Sequence, residues 1–177
     1  MGRGWILFGR RLFFGIVMTE SPFPHSDSTS PLFQLPNTYR AFYGSFPYLY
    51  PIQKQIIGSL LEGNDLILQS ATGSGKTEAV LAPCMERVIQ SGRALTVLYV
   101  VPTRALAVDL ERRLMPVLSD RLGLRIGIRT GDLKRAGGAR PDLVLTTPES
   151  LDVMLGSGNL DLRQFAQRIG TVIIDEV

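Results

Sequence analysis

The chain of 177 residues carries one cysteine, one histidine and one tryptophan. A lone Cys84 excludes a disulfide framework and a cysteine-based zinc site, and fits a reducing cytoplasm. His25 sits among Ser, Pro and Thr and has no partner at metal-ligand spacing. Charge of one sign is equally scarce. The formal +3 is supplied by Arg3, Arg10 and Arg11, and from Met18 onward 16 basic residues face 16 acidic ones. Net charge is therefore weak evidence for a nucleic-acid partner, and any basic surface must be local. Long apolar runs are missing too. Trp5–Phe8 and Leu12–Val17 are apolar, but Arg10 and Arg11 interrupt them, and neither approaches the roughly 20 residues of a membrane span. No uninterrupted apolar region with a small-residue cleavage site marks a signal peptide. A membrane or secretory role is not expected, and a start at Met18 fits this stretch equally well. Residues 19–38, rich in Ser, Pro and Thr, complete a disordered or non-native lead-in over 1–38. Residues 39–177 are expected to form one domain, for which an apolar content of 45% suffices.

What is present is punctuated by glycine. Residues 70–77 read Ser-Ala-Thr-Gly-Ser-Gly-Lys-Thr, directly after the apolar run Leu66-Ile67-Leu68. A strand, a Gly-rich turn and a helix in succession form the context of a phosphate-binding loop. Gly73 and Gly75 allow the tight turn that points backbone N–H groups at an anion, with Thr72 and Ser74 between and before them. Lys76 is placed to reach the β- and γ-phosphates, and the Thr77 hydroxyl to hold Mg²⁺. The general loop has glycine where this chain has Ser70.

The rest of the chain alternates. Helices are predicted over Ile52–Leu61, with Gly63-Asn64 as a stop, then Lys76–Ile89, Arg104–Leu118 and Glu149–Leu155. Strands are predicted over Leu66–Leu68, Ala94–Val101, Leu124–Arg129, Leu143–Thr146 and Thr171–Asp175. The strand at 94–101 is continuously apolar and β-branched, as in a parallel sheet covered on both faces. The rhythm gives an α/β fold, an open, mostly parallel sheet of RecA type with helices on both faces. Ligands of such sheets gather beyond the carboxyl ends of the strands. Asp175-Glu176-Val177 emerges at one of these ends, about 100 residues after the loop. An acid there can share the metal with Thr77, and a second can orient or deprotonate an attacking water.

Taken together these segments resemble superfamily 2 helicases. Ser70–Thr77 resembles their motif I, of the form A-x-T-G-S-G-K-T. Pro102-Thr103-Arg104-Ala105-Leu106-Ala107 resembles motif Ia, Thr147-Pro148-Glu149-Ser150 motif Ib, and Asp175-Glu176-Val177 a motif II cut before its fourth residue. Thr130-Gly131-Asp132 falls where the family has a short nucleic-acid contact. Pro51-Ile52-Gln53 resembles the Q motif, in which the glutamine recognises adenine and an upstream aromatic, here Phe46, packs nearby. Thr146–Asp152 and the Asp-Glu-Val ending are most similar to the large helicase-related, Lhr-type group. The DEAD-box group would have alanine at Val177 and usually glutamate at Ala105.

The resemblance implies the first RecA-like domain of an ATP-dependent DNA or RNA helicase or translocase. Lys76, Asp175 and Glu176 would be catalytic, ATP would occupy Phe46, Gln53 and residues 72–77, and Thr77 and Asp175 would hold Mg²⁺. Single-stranded nucleic acid, DNA ahead of RNA, would run over Pro102, Thr103, Arg104, Thr130, Gly131, Thr147, Pro148 and Glu149, in a role such as DNA repair. A second RecA-like domain of the same full-length chain would supply arginines to the γ-phosphate, so the 177-residue piece alone is expected neither to unwind nor to turn over appreciably. Plainer readings stand beside these. Gln53 also suits a helix start, and Thr103 and Thr147 also suit helix caps. Arg112 and Arg113 suit a solvated face, and Lys134, Arg135 and Arg140 an exposed loop. A DEAD-box-type RNA helicase domain, a non-motor P-loop ATPase switch and a degenerate helicase-like scaffold are the alternatives.

Overall fold

The computed structural model describes residues 4–8, 30–71, 73–130, 133–135, 140–156 and 165–175. Its strands are β1 (Gly4–Phe8), β2 (Ile67–Ser70), β3 (Thr96–Val100), β4 (Ile126–Thr130), β5 (Leu133–Arg135), β6 (Leu143–Thr146) and β7 (Ile169–Asp175). They make one sheet in the order β2-β1-β7-β3-β6-β4-β5. The helices are α1 (Pro31–Gln34), α2 (Tyr39–Tyr43), α3 (Pro51–Glu62), α4 (Lys76–Gln90), α5 (Arg104–Met115) and α6 (Pro148–Gly156). Helix α5 runs on into a π-helical stretch, Pro116–Arg121.

Strand β3 shows why the sheet is covered on both faces. Its five residues are all buried, and side chains alternate across a strand. Val97, Tyr99 and Val101 therefore enter the large core with α3, α4 and α5, while Leu98 and Val100 meet Val144, Val172 and Ile174 on the other face. β3 is parallel to β6 and β7, and β6 to β4. β1 runs antiparallel to both β2 and β7, so β2 keeps the common direction of β7, β3, β6 and β4. The expected parallel α/β sheet is present. The carboxyl ends of those five strands share one edge.

Two differences from the sequence expectation concern regions without helical or strand periodicity. Within the lead-in over 1–38, Gly4–Phe8 is a sheet strand, Pro31–Gln34 is a helical turn, and Leu35 and Thr38 are buried. The second is β5, which pairs antiparallel with β4 and carries Lys134 and Arg135, residues expected in a loop. Arg140 is exposed. Helix α3 ends as expected at Gly63, whose φ of +82° is the left-handed region that glycine enters freely.

A buried carboxylate fastens the segment before α2 to α4. Glu86 is inaccessible to solvent. Its Oε2 accepts from the N–H groups of Asn37 at 3.1 Å and Thr38 at 2.9 Å and lies 2.9 Å from the Thr38 hydroxyl. Its Oε1 accepts from the Asn37 side-chain amide and from Gln90 Nε2. Removing the acceptor strands several buried donors, each costing about 1–3 kcal/mol. Glu86→Ala is therefore expected to lower stability by about 3 kcal/mol or more, a fall in Tm of roughly 6–12 °C. A calorimetric Tm within about 2 °C of the parent would show that these bonds contribute little.

Candidate nucleotide and nucleic-acid site

The turn from β2 into α4 is closed by its own polar groups. Lys76 Nζ donates to the carbonyl oxygens of Ser70 at 2.8 Å and Ala71 at 2.9 Å. Ser70 Oγ donates to Ser74 Oγ at 2.7 Å, and the Ser74 N–H bonds the Ala71 carbonyl. The residue that departs from the general phosphate loop thus braces the turn with its hydroxyl. Gly75 begins α4 at φ +77°, and a Cβ there would stand 2.5 Å from Gln53 Nε2 and 3.2 Å from the Tyr50 ring. Only glycine meets both demands.

Gln53 is 5% exposed. Its Oε1 accepts the Tyr50 N–H at 2.9 Å, and its Nε2 donates to the Gly75 carbonyl at 3.3 Å. The amide therefore serves the helix start and also touches the loop. Phe46 is 55% exposed. Sequence reading passed over Tyr50, the aromatic that abuts Gly75 and meets Tyr48 edge-on at 6.2 Å between ring centres. Its place next to Pro51 was the available signal.

At the end of β7, Asp175 Oδ2 accepts a hydrogen bond of 2.8 Å from the hydroxyl of Tyr99, which is wholly buried. Thr77 stands in the first turn of α4, near the same hydroxyl. Burial, with the Asp175 charge beside it, holds the Tyr99 phenol well above its ordinary pKa, so it remains a proton donor. Tyr99 was also missed from sequence, where it reads as one more apolar residue of β3. Tyr43, likewise buried, donates to the Glu78 carbonyl at 2.8 Å and steadies the same turn of α4. Burial also pushes the Cys84 thiol far up, which makes it an inert core residue.

The donor set around Tyr99 consists of oxygen alone, a hydroxyl and a carboxylate, which suits a hard cation such as Mg²⁺. Among the described residues no three His, Cys, Asp or Glu cluster as a metal cage. A cation here would draw on phosphate oxygens and water to complete its shell.

The remaining sequence-predicted residues divide by exposure. Thr103 and Arg104 are exposed at the start of α5, where Thr103 Oγ1 caps the helix by accepting the Leu106 N–H at 3.2 Å. Pro102 and Pro148 are half-buried and Glu149 is exposed. Thr130 and Thr147 are buried, at 0% and 3% exposure. Thr130 ends β4 on its inward face, and the Thr147 hydroxyl lies 3.1 Å from that of Ser150. Only their backbones remain for a ligand. Arg112 pairs with Asp109 at 2.8 Å on an exposed face, which contributes little. Thr72, Gly131 and Glu176 lie outside the described residues, as do Asp132 and Val177. Among the described residues no helix is long and apolar enough to cross a membrane.

Residues 50–177 match the DEAD/DEAH box helicase family. The chain belongs to that family. It is 38% identical over 147 residues to an Lhr helicase of Mycolicibacterium smegmatis, an alignment covering 72% of this chain and 10% of the relative. The curated relatives it matches are far longer, and the chain spans about 10–20% of their length. Two solved structures share the fold. The DUF1998 helicase MrfA bound to DNA matches with a TM-score of 0.60 and 21% identity, over 84% of this chain and 21% of that one. The DEAD-box helicase Mss116 bound to single-stranded RNA matches with a TM-score of 0.57 and 23% identity, over 70% of this chain and 28% of that one.

The crowding at Gly75 has a direct consequence. Gly75→Ala forces a left-handed alanine, costing about 1–2 kcal/mol, against the Gln53 amide. The expected outcome is a Tm lower by roughly 2–8 °C. An unchanged Tm would mean that the loop has another conformation in solution.

Proposed function

We propose that residues 39–177 are the ATP-binding RecA-like domain of a cytoplasmic, ATP-dependent helicase or translocase that grips nucleic acid by its backbone. The observation that carries this reading is that the buried Tyr99 hydroxyl holds Asp175 at the carboxyl end of β7, while Lys76 and Thr77 open α4 after the carboxyl end of the parallel strand β2. These are the residue types that phosphoryl transfer needs at those positions. In the nucleotide-bound protein, Lys76 exchanges its two carbonyl partners for β- and γ-phosphate oxygens. The N–H groups of residues 73–77 cradle the same phosphates at the positive end of α4. Thr77 and Asp175 would hold Mg²⁺, which would supply positive charge to the transferring phosphoryl group. Glu176, the next residue along, takes the proton of the attacking water. Gln53 reads the adenine edge from its place against Gly75, with Phe46 or Tyr50 as the flanking aromatic.

Nucleic acid lies across the strand ends, held at phosphates by Thr103, Arg104 and the N-terminus of α6, with the backbones of residues 130, 131 and 147 alongside. The family membership and the two structural neighbours with bound DNA and RNA support this side of the reading. A second RecA-like domain of the full-length protein closes over the nucleotide and supplies arginine.

Two measurements test these roles. In calorimetric titrations, Lys76→Ala is expected to weaken ATP, GTP and UTP alike, by about 10- to 100-fold, through loss of charge-assisted hydrogen bonds. Gln53→Ala is expected to weaken ATP more than the other two. Near-parental affinity of Lys76→Ala removes the phosphate-loop reading, and an unchanged nucleotide ranking leaves Gln53 as a helix-start residue only.

Fluorescence anisotropy with single-stranded DNA and RNA between 50 and 200 mM salt addresses the second ligand. Arg104→Ala is expected to lower affinity on every sequence and to reduce the salt slope by about 0.7 to 1. If binding and slope stay as they were, Arg104 makes no phosphate contact. Absence of any nucleic-acid binding by the parent would favour an ATPase switch.

A further inference from the structure

The geometry points to Tyr99 as a positioning residue that orients the Asp175 carboxylate, and so sets the affinity of the site for metal-bound nucleotide. This rests on the reading of Asp175 as a Mg²⁺ ligand. β1 pairs with both β2 and β7, its Ile6 opposite Leu68 on one side and Asp175 on the other, so backbone ladders set the register of the two strands. The ladders place the Asp175 backbone and leave its side chain to be aimed, and a side chain from a third strand bonds it. β7 is paired with β3, Tyr99 opposite Ile173, so Asp175 lies two residues further along the strand, within reach of a phenol. The ring is wholly buried on the face that packs against α4, which fixes where its hydroxyl points.

A phenol has one proton, and that proton goes to Asp175 Oδ2. Phenylalanine would fill the same volume and lose the bond that aims the carboxylate. A partner that orients a ligand without touching the metal is commonly worth about 10–100-fold in metal affinity.

The test is nucleotide affinity measured by calorimetry with Mg²⁺ and again with EDTA, the ratio of the two Kd values being the gain due to metal. Tyr99→Phe is expected to keep the EDTA affinity within about twofold and to cut the metal gain about 10-fold. Val97→Ala, on the same buried face of β3, serves as the structural control. It is expected to lower Tm and leave the metal gain intact. Equal losses of metal gain in both variants would reduce Tyr99 to core packing and overturn the inference. Asp175→Asn separates the inference from the reading beneath it. If Asp175→Asn abolishes the metal gain and Tyr99→Phe preserves it, Tyr99 has no positioning role although the metal assignment stands. If Asp175→Asn preserves the gain, the metal assignment itself fails and takes the role of Tyr99 with it.

Discussion

Burial of β3 on both faces is the constraint from which the rest of the structure follows. A strand so placed must be apolar almost throughout, and any polar atom it carries must find a partner. β3 satisfies this with Val97, Leu98 and Val100, with Thr96, whose hydroxyl donates to the Pro141 carbonyl, and with one phenol, whose hydroxyl donates to Asp175. The same rule that fills the core thus ties β3 to β7 at one point. Satisfaction of a buried hydroxyl and assembly of a candidate metal site are here one event.

Helix α4 is held along its length by the segment that precedes α3. Tyr43 bonds its first turn at Glu78, and Asn37 and Thr38 bond Glu86 two turns further on. Lys76 and Thr77 are the first residues of that helix. Displacement of α4 along its axis would break these bonds and carry both residues away from Asp175. Residues far from the loop 70–77 in sequence therefore control its position. A large part of the carboxylate's stabilising effect comes from satisfying donors that have no water to turn to.

The sheet is less uniform than an open parallel sheet built from strand–helix–strand units alone. β1 enters antiparallel between β2 and β7, and β5 closes the opposite edge antiparallel to β4. Both are short segments with weak local signals. β1 is one glycine followed by four apolar residues, Trp5 to Phe8, and β5 is a three-residue strand carrying Lys134 and Arg135. Such strands form because a neighbouring strand offers unpaired N–H and C=O groups, not because their own residues demand it.

By itself the sequence determined what depends on near neighbours. The loop 70–77, its helix, the caps at Thr103 and Gly63 and the apolar strands rest on patterns within a few tens of residues, and the family membership on the succession of such patterns over residues 50–177. Periodicity and glycine placement encode them locally. Tertiary structure alone decided which polar groups meet. Nothing adjacent to Tyr99 marks it as the partner of Asp175, nothing near Glu86 marks it as the anchor of Asn37 and Thr38, and nothing in Thr130 or Thr147 marks them as buried. These pairings span separations of up to 76 residues. They arise from strand order and helix placement, which bring distant side chains to the same few ångströms only after the core has closed.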